Sequence, residues 1–263
     1  MKYLTIASGL LLAFGLLCGC GGGGITSSPA VASRDFAGNW QFGTSSAAQG
    51  ETLGIGGSIN QSGSAVNGAV HVSSQLEKCF DYLTTVGLTG TVTDGNNVSL
   101  TSTPVGGVVI AFTGRFTDTT LTGTYTLQGG CNDQGNVTGV KIPPIAGKFC
   151  STFTPLGEAT FDALIDVTQG NANSDGSFGL TGTVTSDEAC FTPGTIRSGT
   201  LSSGSFIIGN SVAFEMEGDN GTVTILGTVD PVANQISGGY TVSGGTCDQQ
   251  TGTVFLSTQA FCF

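Results

Sequence analysis

Positive charge is scarce in this chain. Lysine and arginine together number 7 against 18 acidic residues in 263, and the formal net charge is −11. No basic cluster exists to release counterions from a phosphate backbone, which excludes nucleic-acid binding and adsorption to anionic lipid heads by general electrostatics. Histidine occurs once, as His71, so any mechanism needing an imidazole rests on that residue. There is no Gly-x-Ser-x-Gly elbow and no Cys-x-x-Cys pair, the sequence marks of a serine hydrolase and of many zinc sites. One tryptophan and four tyrosines are too few for the two aromatic girdles of a transmembrane barrel. Charged residues make up only 10%, yet hydrophobic residues reach 38%, which argues against a disordered polar tail. No cofactor is expected.

Only one long apolar run is present, and it stands at the start. Lys2 precedes an apolar stretch over 4–17, shorter than the ~20 residues of a spanning helix and suited to a signal peptide. It ends in Leu17-Cys18-Gly19-Cys20, which resembles the bacterial lipobox. The resemblance implies diacylglyceryl transfer to the Cys20 thiol, cleavage after Gly19, and acylation of the new amino terminus. Several acyl chains anchor stably, whereas one binds only marginally. Residues 1–19 are thus read as a lipoprotein signal and 20–35 as a Gly/Ser-rich tether beginning Gly21-Gly22-Gly23-Gly24. Gly21, in a place where Asp favours inner-membrane retention, directs the expectation to the outer membrane, facing periplasm or cell surface.

The remainder is written twice. Tyr125 matches Tyr240, Cys131 matches Cys247, Cys79-Phe80 matches Cys190-Phe191, and Trp40 matches Phe149, at offsets between 109 and 116. One unit duplicated with small insertions explains this, and it divides the chain into repeats 36–144 and 145–263.

Within each repeat, short runs rich in Val, Ile, Thr and Phe are broken by Gly, Asn, Asp and Ser about every 8–12 residues. Val108, Ile110, Phe112 and Phe116 share one face of such a run, with Thr113 and Arg115 on the other. Alternation gives eight strands per repeat. The first set lies near 38–44, 51–61, 65–72, 83–93, 96–103, 107–117, 120–128 and 135–142. The second lies near 147–154, 158–169, 177–185, 195–203, 205–217, 221–229, 235–243 and 251–259. Short turns imply a meander, and closing eight strands removes the exposed edges. The predicted fold is all-β, two tandem antiparallel up-and-down β-barrels. Gly38-Asn39-Trp40 resembles the Gly-x-Trp opening of lipocalins and avidin-like barrels, a match of three residues in which Phe149 replaces Trp in the second repeat. That resemblance implies a barrel-end plug at Trp40 and Phe149.

Six of the eight cysteines lie beyond the lipobox. In an exported chain an even number reads as disulfides, and six allow fifteen pairings. Duplication selects Cys79 with Cys131 and Cys190 with Cys247. Cys150, in the first strand of its repeat, and Cys262, at the end, remain to staple the seam of the second barrel.

Candidate chemistry is thin. His71 alternates with Val70 and Val72 and is expected to face solvent. Glu215 with Glu217, and Glu158 with Asp162, supply the paired carboxyls a glycosidase needs, but a solvated strand face carries the same residues. The run 171–176 imitates a calcium loop, yet its twelfth position is Gly182 instead of a bidentate Glu; a hairpin turn is expected, and no metal. The expectation is a non-enzymatic envelope module, held to the membrane through the Cys20 lipid. It would bind a small apolar ligand in a barrel or an envelope protein. The alternatives are a display lipoprotein with packed barrels, a single 16-stranded outer-membrane barrel, and a carboxylate-based hydrolase.

Overall fold

Side chains that alternate between β-branched or aromatic and small polar types favour a half-buried pleated strand, and strands dominate the computed structural model. It describes residues 34–48, 52–74, 79–80, 84–186, 188, 194–196, 203–218 and 221–258. The first repeat supplies β1 (Gly38–Ser46), β2 (Leu53–Ser62), β3 (Ala65–Ser74), β4 (Thr84–Thr93), β5 (Asn97–Ser102), β6 (Val109–Phe116), β7 (Thr120–Gln128) and β8 (Asp133–Ile142). Each pairs antiparallel with the next, and β8 returns to β1 in a register running from Asn39 opposite Ile142 to Ser46 opposite Gly135. This is a closed eight-stranded meander.

The second repeat supplies β9 (Gly147–Pro155), β10 (Phe161–Ala172), β11 (Phe178–Ser186), β12 (Gly194–Ile196), β13 (Phe206–Ile208), β14 (Ser211–Gly218), β15 (Gly221–Asp230), β16 (Gln235–Ser243) and β17 (Thr251–Ser257). Pairing runs β9, β10, β11, β12, β14, β15, β16, β17 and back to β9, again antiparallel. Because β8 closes on β1 and β17 on β9, there are two rings and not the single sixteen-stranded wall considered above. Among the described residues there is no α-helix, and no helix long and apolar enough to cross a membrane.

One strand expectation fails. The run 205–217 is not continuous: β13 and β14 are separated by Gly209-Asn210 and pair with each other, Ile208 opposite Ser211. β13 also pairs with β11. Gly209 has φ +54, a left-handed conformation that breaks a strand and that glycine adopts freely.

Apolar residues point inward. In β5 the burial alternates strictly, with Val98, Leu100 and Ser102 inside. Val108, Ile110, Phe112 and Phe116 are all buried while Thr113 and Arg115 are exposed. Each barrel interior holds one contiguous buried cluster. In the first, the Phe36 ring centroid lies 4.8 Å from both Trp40 and Phe116, and Trp40 stacks on Phe42 at 5.7 Å. The lumen is thus occupied by its own side chains, which leaves the barrel interior a poor seat for a guest.

Both barrels belong to one compact unit. Ile142, at the end of β8, and Ile145 just after it join the hydrophobic cluster of the second barrel. The turn between β13 and β14 docks on the outer wall of the first barrel. Asn39 Nδ2 donates to the Gly209 carbonyl at 2.8 Å, and Gly209 N–H donates back to Asn39 Oδ1 at 2.9 Å. Asn210 N–H donates to Gln41 Oε1 at 3.2 Å. A Cβ on Gly209 would stand 2.8 Å from the Gly56 Cα and overlap the Gln41 side chain. The close approach requires glycine there.

Candidate functional site

That docking leaves a cleft of about 460 Å³ between the barrels. Its first-barrel wall is β1–β3: Gln41, Gly54, Gly56, His71 and Ser73. Strand alternation turns Gln41, His71 and Ser73 outward, opposite in sense to the core residues Phe42, Val70 and Val72. The facing wall comes from β13–β15, where Phe206, Ile208 and Leu226 give an apolar surface and Asn210 and Ser211 a polar edge. Leu226 is 65% exposed, a large apolar side chain on an outer barrel wall. Among the described residues no Lys, Arg, Asp or Glu lines the cleft. One wall is neutral and polar, the other apolar.

His71 is the main correction to the sequence reading. It is only 6% exposed, because the second barrel covers the wall expected to face water. Its Nε2 lies 2.6 Å from Thr85 Oγ1, whereas Nδ1 is buried with no hydrogen-bond partner. Burial holds the imidazole below its ordinary pKa, and the carboxylate of Asp175 opposes that only in part. Asp175 sits in the β10–β11 turn, where its Oδ1 accepts from Ser177 N–H at 2.9 Å and Ser177 Oγ at 2.6 Å. The run 171–176 is accordingly the end of β10 and a hairpin turn. Among the described residues no group of three potential metal ligands gathers.

The other candidates disperse. Glu215 accepts from Gly204 N–H at 3.2 Å on the outer wall, with Glu217 exposed beyond it. Asp162 accepts from Thr152 Oγ1 at 2.8 Å on β10, while Glu158, in the preceding turn, accepts from Gln250 Nε2 at 3.0 Å. Glu158 rims a shallow polar pocket of about 380 Å³ at the end of the second barrel away from the cleft.

Trp40 is fully buried near the start of β1, its indole N–H donating to the Phe36 carbonyl at 2.8 Å. Phe149 is buried in the second core. Cys79 and Cys131 are disulfide-bonded, with Cα atoms 5.5 Å apart, and tie the β3–β4 and β7–β8 connections at one mouth of the first barrel. Cys150 and Cys247 are disulfide-bonded as well. Their assigned partners, Cys262 and Cys190, lie outside the described residues, as do Cys20 and the tether.

The sequence reading missed Gln41, Leu226 and the Gly209-Asn210 turn. The last has a signal in the sequence, the Gly-Asn pair inside the expected strand 205–217.

No family model matches the chain, and no curated protein matches it. Among solved structures, kievitone hydratase from Nectria haematococca matches over 86% of this chain and 90% of its own at 10% identity, with a TM-score of 0.26. A likeness at that score carries no inference about function.

Proposed function

We propose that this protein is a non-enzymatic envelope lipoprotein that carries a small-molecule binding site between its two barrels. The observation that carries the reading is the cleft itself. It lies at a domain interface, has the volume of an ordinary ligand pocket, and opposes an apolar wall to a few convergent polar groups. A neutral, partly apolar molecule fits that lining best. A charged one would meet no counter-charge among the described residues of the cleft, and an anion would also meet the net charge of −11. The occupied lumens favour this cleft over the barrel interior as the seat. The lipobox supports anchoring through Cys20, with the tether holding the barrels off the membrane.

A neutral naphthylamine fluorophore tests the site. It should bind one per chain, and Leu226→Arg should weaken it at least tenfold, about 1.4 kcal/mol, with no loss of fold because Leu226 is exposed. Equal binding by the variant would place the ligand elsewhere. In the native host, Cys20→Ser should move the protein from the membrane to the soluble fraction and abolish palmitate labelling. Retention at the membrane would refute the anchor.

A further inference from the structure

We propose that His71 is an acid-sensitive latch between the barrels, whose protonation loosens the docking that builds the cleft. This deepens the binding reading above, and rests on it only for the consequence that a bound ligand would be released.

His71 lines the cleft and lies beneath the β10–β11 turn, where Gly176 packs so closely on the Ala69 carbonyl that a Cβ has no room. On its own sheet, Gly56 of β2 and Thr85 of β4 stand opposite it, both neutral. Gln41 and Asn210, which share the cleft lining, are neutral too and already bonded to each other. From the second barrel the charged group that acts on the imidazole is Asp175, whose Oδ1 is engaged by Ser177. In either neutral tautomer Nε2 is satisfied by the Thr85 hydroxyl and Nδ1 has no partner. The imidazolium would carry N–H donors on both nitrogens and a full charge in a ring only 6% exposed, with no hydrogen-bond partner at Nδ1 in the docked structure. Moving the barrels apart hydrates the ring at once.

The direction follows from linkage. The docked imidazole has a lowered pKa, while an undocked, hydrated one returns to about 6.5. Docking is therefore fully favourable above 6.5 and weakens as pH falls through the interval down to the docked value. The docking equilibrium changes by up to about tenfold per pH unit across that interval.

His71 is the only histidine, so its ring resonance identifies itself. The experiment follows that resonance, together with amide exchange at Gly209 and Asn210, whose N–H groups bond across the interface, in the complete ligand-free protein in detergent between neutral pH and pH 5. The imidazole should titrate below 6.5. Exchange at both amides, corrected for intrinsic chemistry, should rise by about tenfold in the same interval, while amides inside each barrel stay protected. His71→Gln should abolish the rise. Asp175→Asn, which keeps the Oδ1 acceptor, should enlarge it, because the opposing carboxylate is gone. An imidazole that titrates at or above 6.5, or a His71→Gln protein that still opens in acid, overturns the proposal. Because no ligand is present, failure of the naphthylamine to bind leaves this result untouched. If the fluorophore does bind, its loss in acid should also vanish in His71→Gln.

Discussion

Asn39 and Gly209, 170 residues apart, are joined by two reciprocal hydrogen bonds in which a side-chain amide takes the place of a neighbouring strand. Asn39 is 4% exposed, so this exchange occurs out of water, where an unmade bond costs more than a made one returns. The pair fixes the β13–β14 turn on the wall of the first barrel. That turn, in turn, sets the separation of Gln41 and Leu226 across the cleft.

Asn39→Ala should therefore uncouple the barrels without unfolding either. It strands the N–H and carbonyl of Gly209 at the interface, at a cost of ~2–4 kcal/mol for two buried unpaired groups. The cost is smaller if the barrels part and water reaches them. Calorimetry should then resolve one unfolding transition into two. A single cooperative transition at the wild-type temperature would mean that the apolar contacts of Ile142 and Ile145 carry the coupling instead.

The interface was also where the sequence proved hardest to read. Within the first barrel, alternation and turn residues located every strand to within about three residues, since Asp94-Gly95 and Asp118-Thr119 punctuate it and both faces obey one rule. Alternation says only which residues share a face, and not what covers the outer one. Alternation alone therefore puts His71 in water, whereas the second barrel buries it. The Gly209-Asn210 turn is hidden because alternation reads 205–217 as one strand, and only its docking on Asn39 and Gln41 shows why a break belongs there. The disulfide Cys79–Cys131 was legible through duplication, which needs no geometry. The cleft is not, because its walls, β1–β3 and β13–β15, stand ten or more strands apart in chain order and come from different repeats.

The Cys79–Cys131 bond closes a loop of sequence separation 52. In the chain-entropy account such a loop contributes about 4 kcal/mol by restricting the unfolded chain. Cys131→Ser paired with Cys79→Ser should lower the stability of the first barrel by that order and leave the second almost unchanged. Tryptophan fluorescence isolates the effect, because Trp40 is the only tryptophan and lies in the first core. The fluorescence midpoint in urea should fall while the exchange protection of amides inside the second barrel does not move. A parallel fall in both would mean that the barrels unfold as one body, which the Asn39→Ala experiment measures independently.

Tyr125 and Tyr240 occupy matched positions yet should respond differently to acid. Tyr125 donates to Asp133 Oδ2 at 2.7 Å, and Ser46 donates to the other oxygen at 2.7 Å. Burial alone would raise the Asp133 pKa, but those hydrogen bonds and the Gln134 N–H hold it below its ordinary value. Tyr240 donates to Gln250 at 3.3 Å, and the charges of Glu158 and Glu188 help burial to raise its pKa. A lowered carboxyl pKa stabilises the fold above its unfolded value of 3.8 and ceases to as pH falls through the folded one. Tyr125→Phe should therefore cost about 1 kcal/mol at neutral pH and progressively less below pH 3.8. Tyr240→Phe should show no such acid dependence. Burial pushes both phenols up to about 12, so their contribution holds below pH 10 and is lost as pH rises through 12. Removing Tyr125 should shorten that alkaline loss, and Tyr240 should retain the remainder. Urea titrations of the two variants across pH decide the matter. A Tyr125→Phe penalty that stays constant in acid would show that the hydroxyl contributes through packing alone and not through the Asp133 carboxylate.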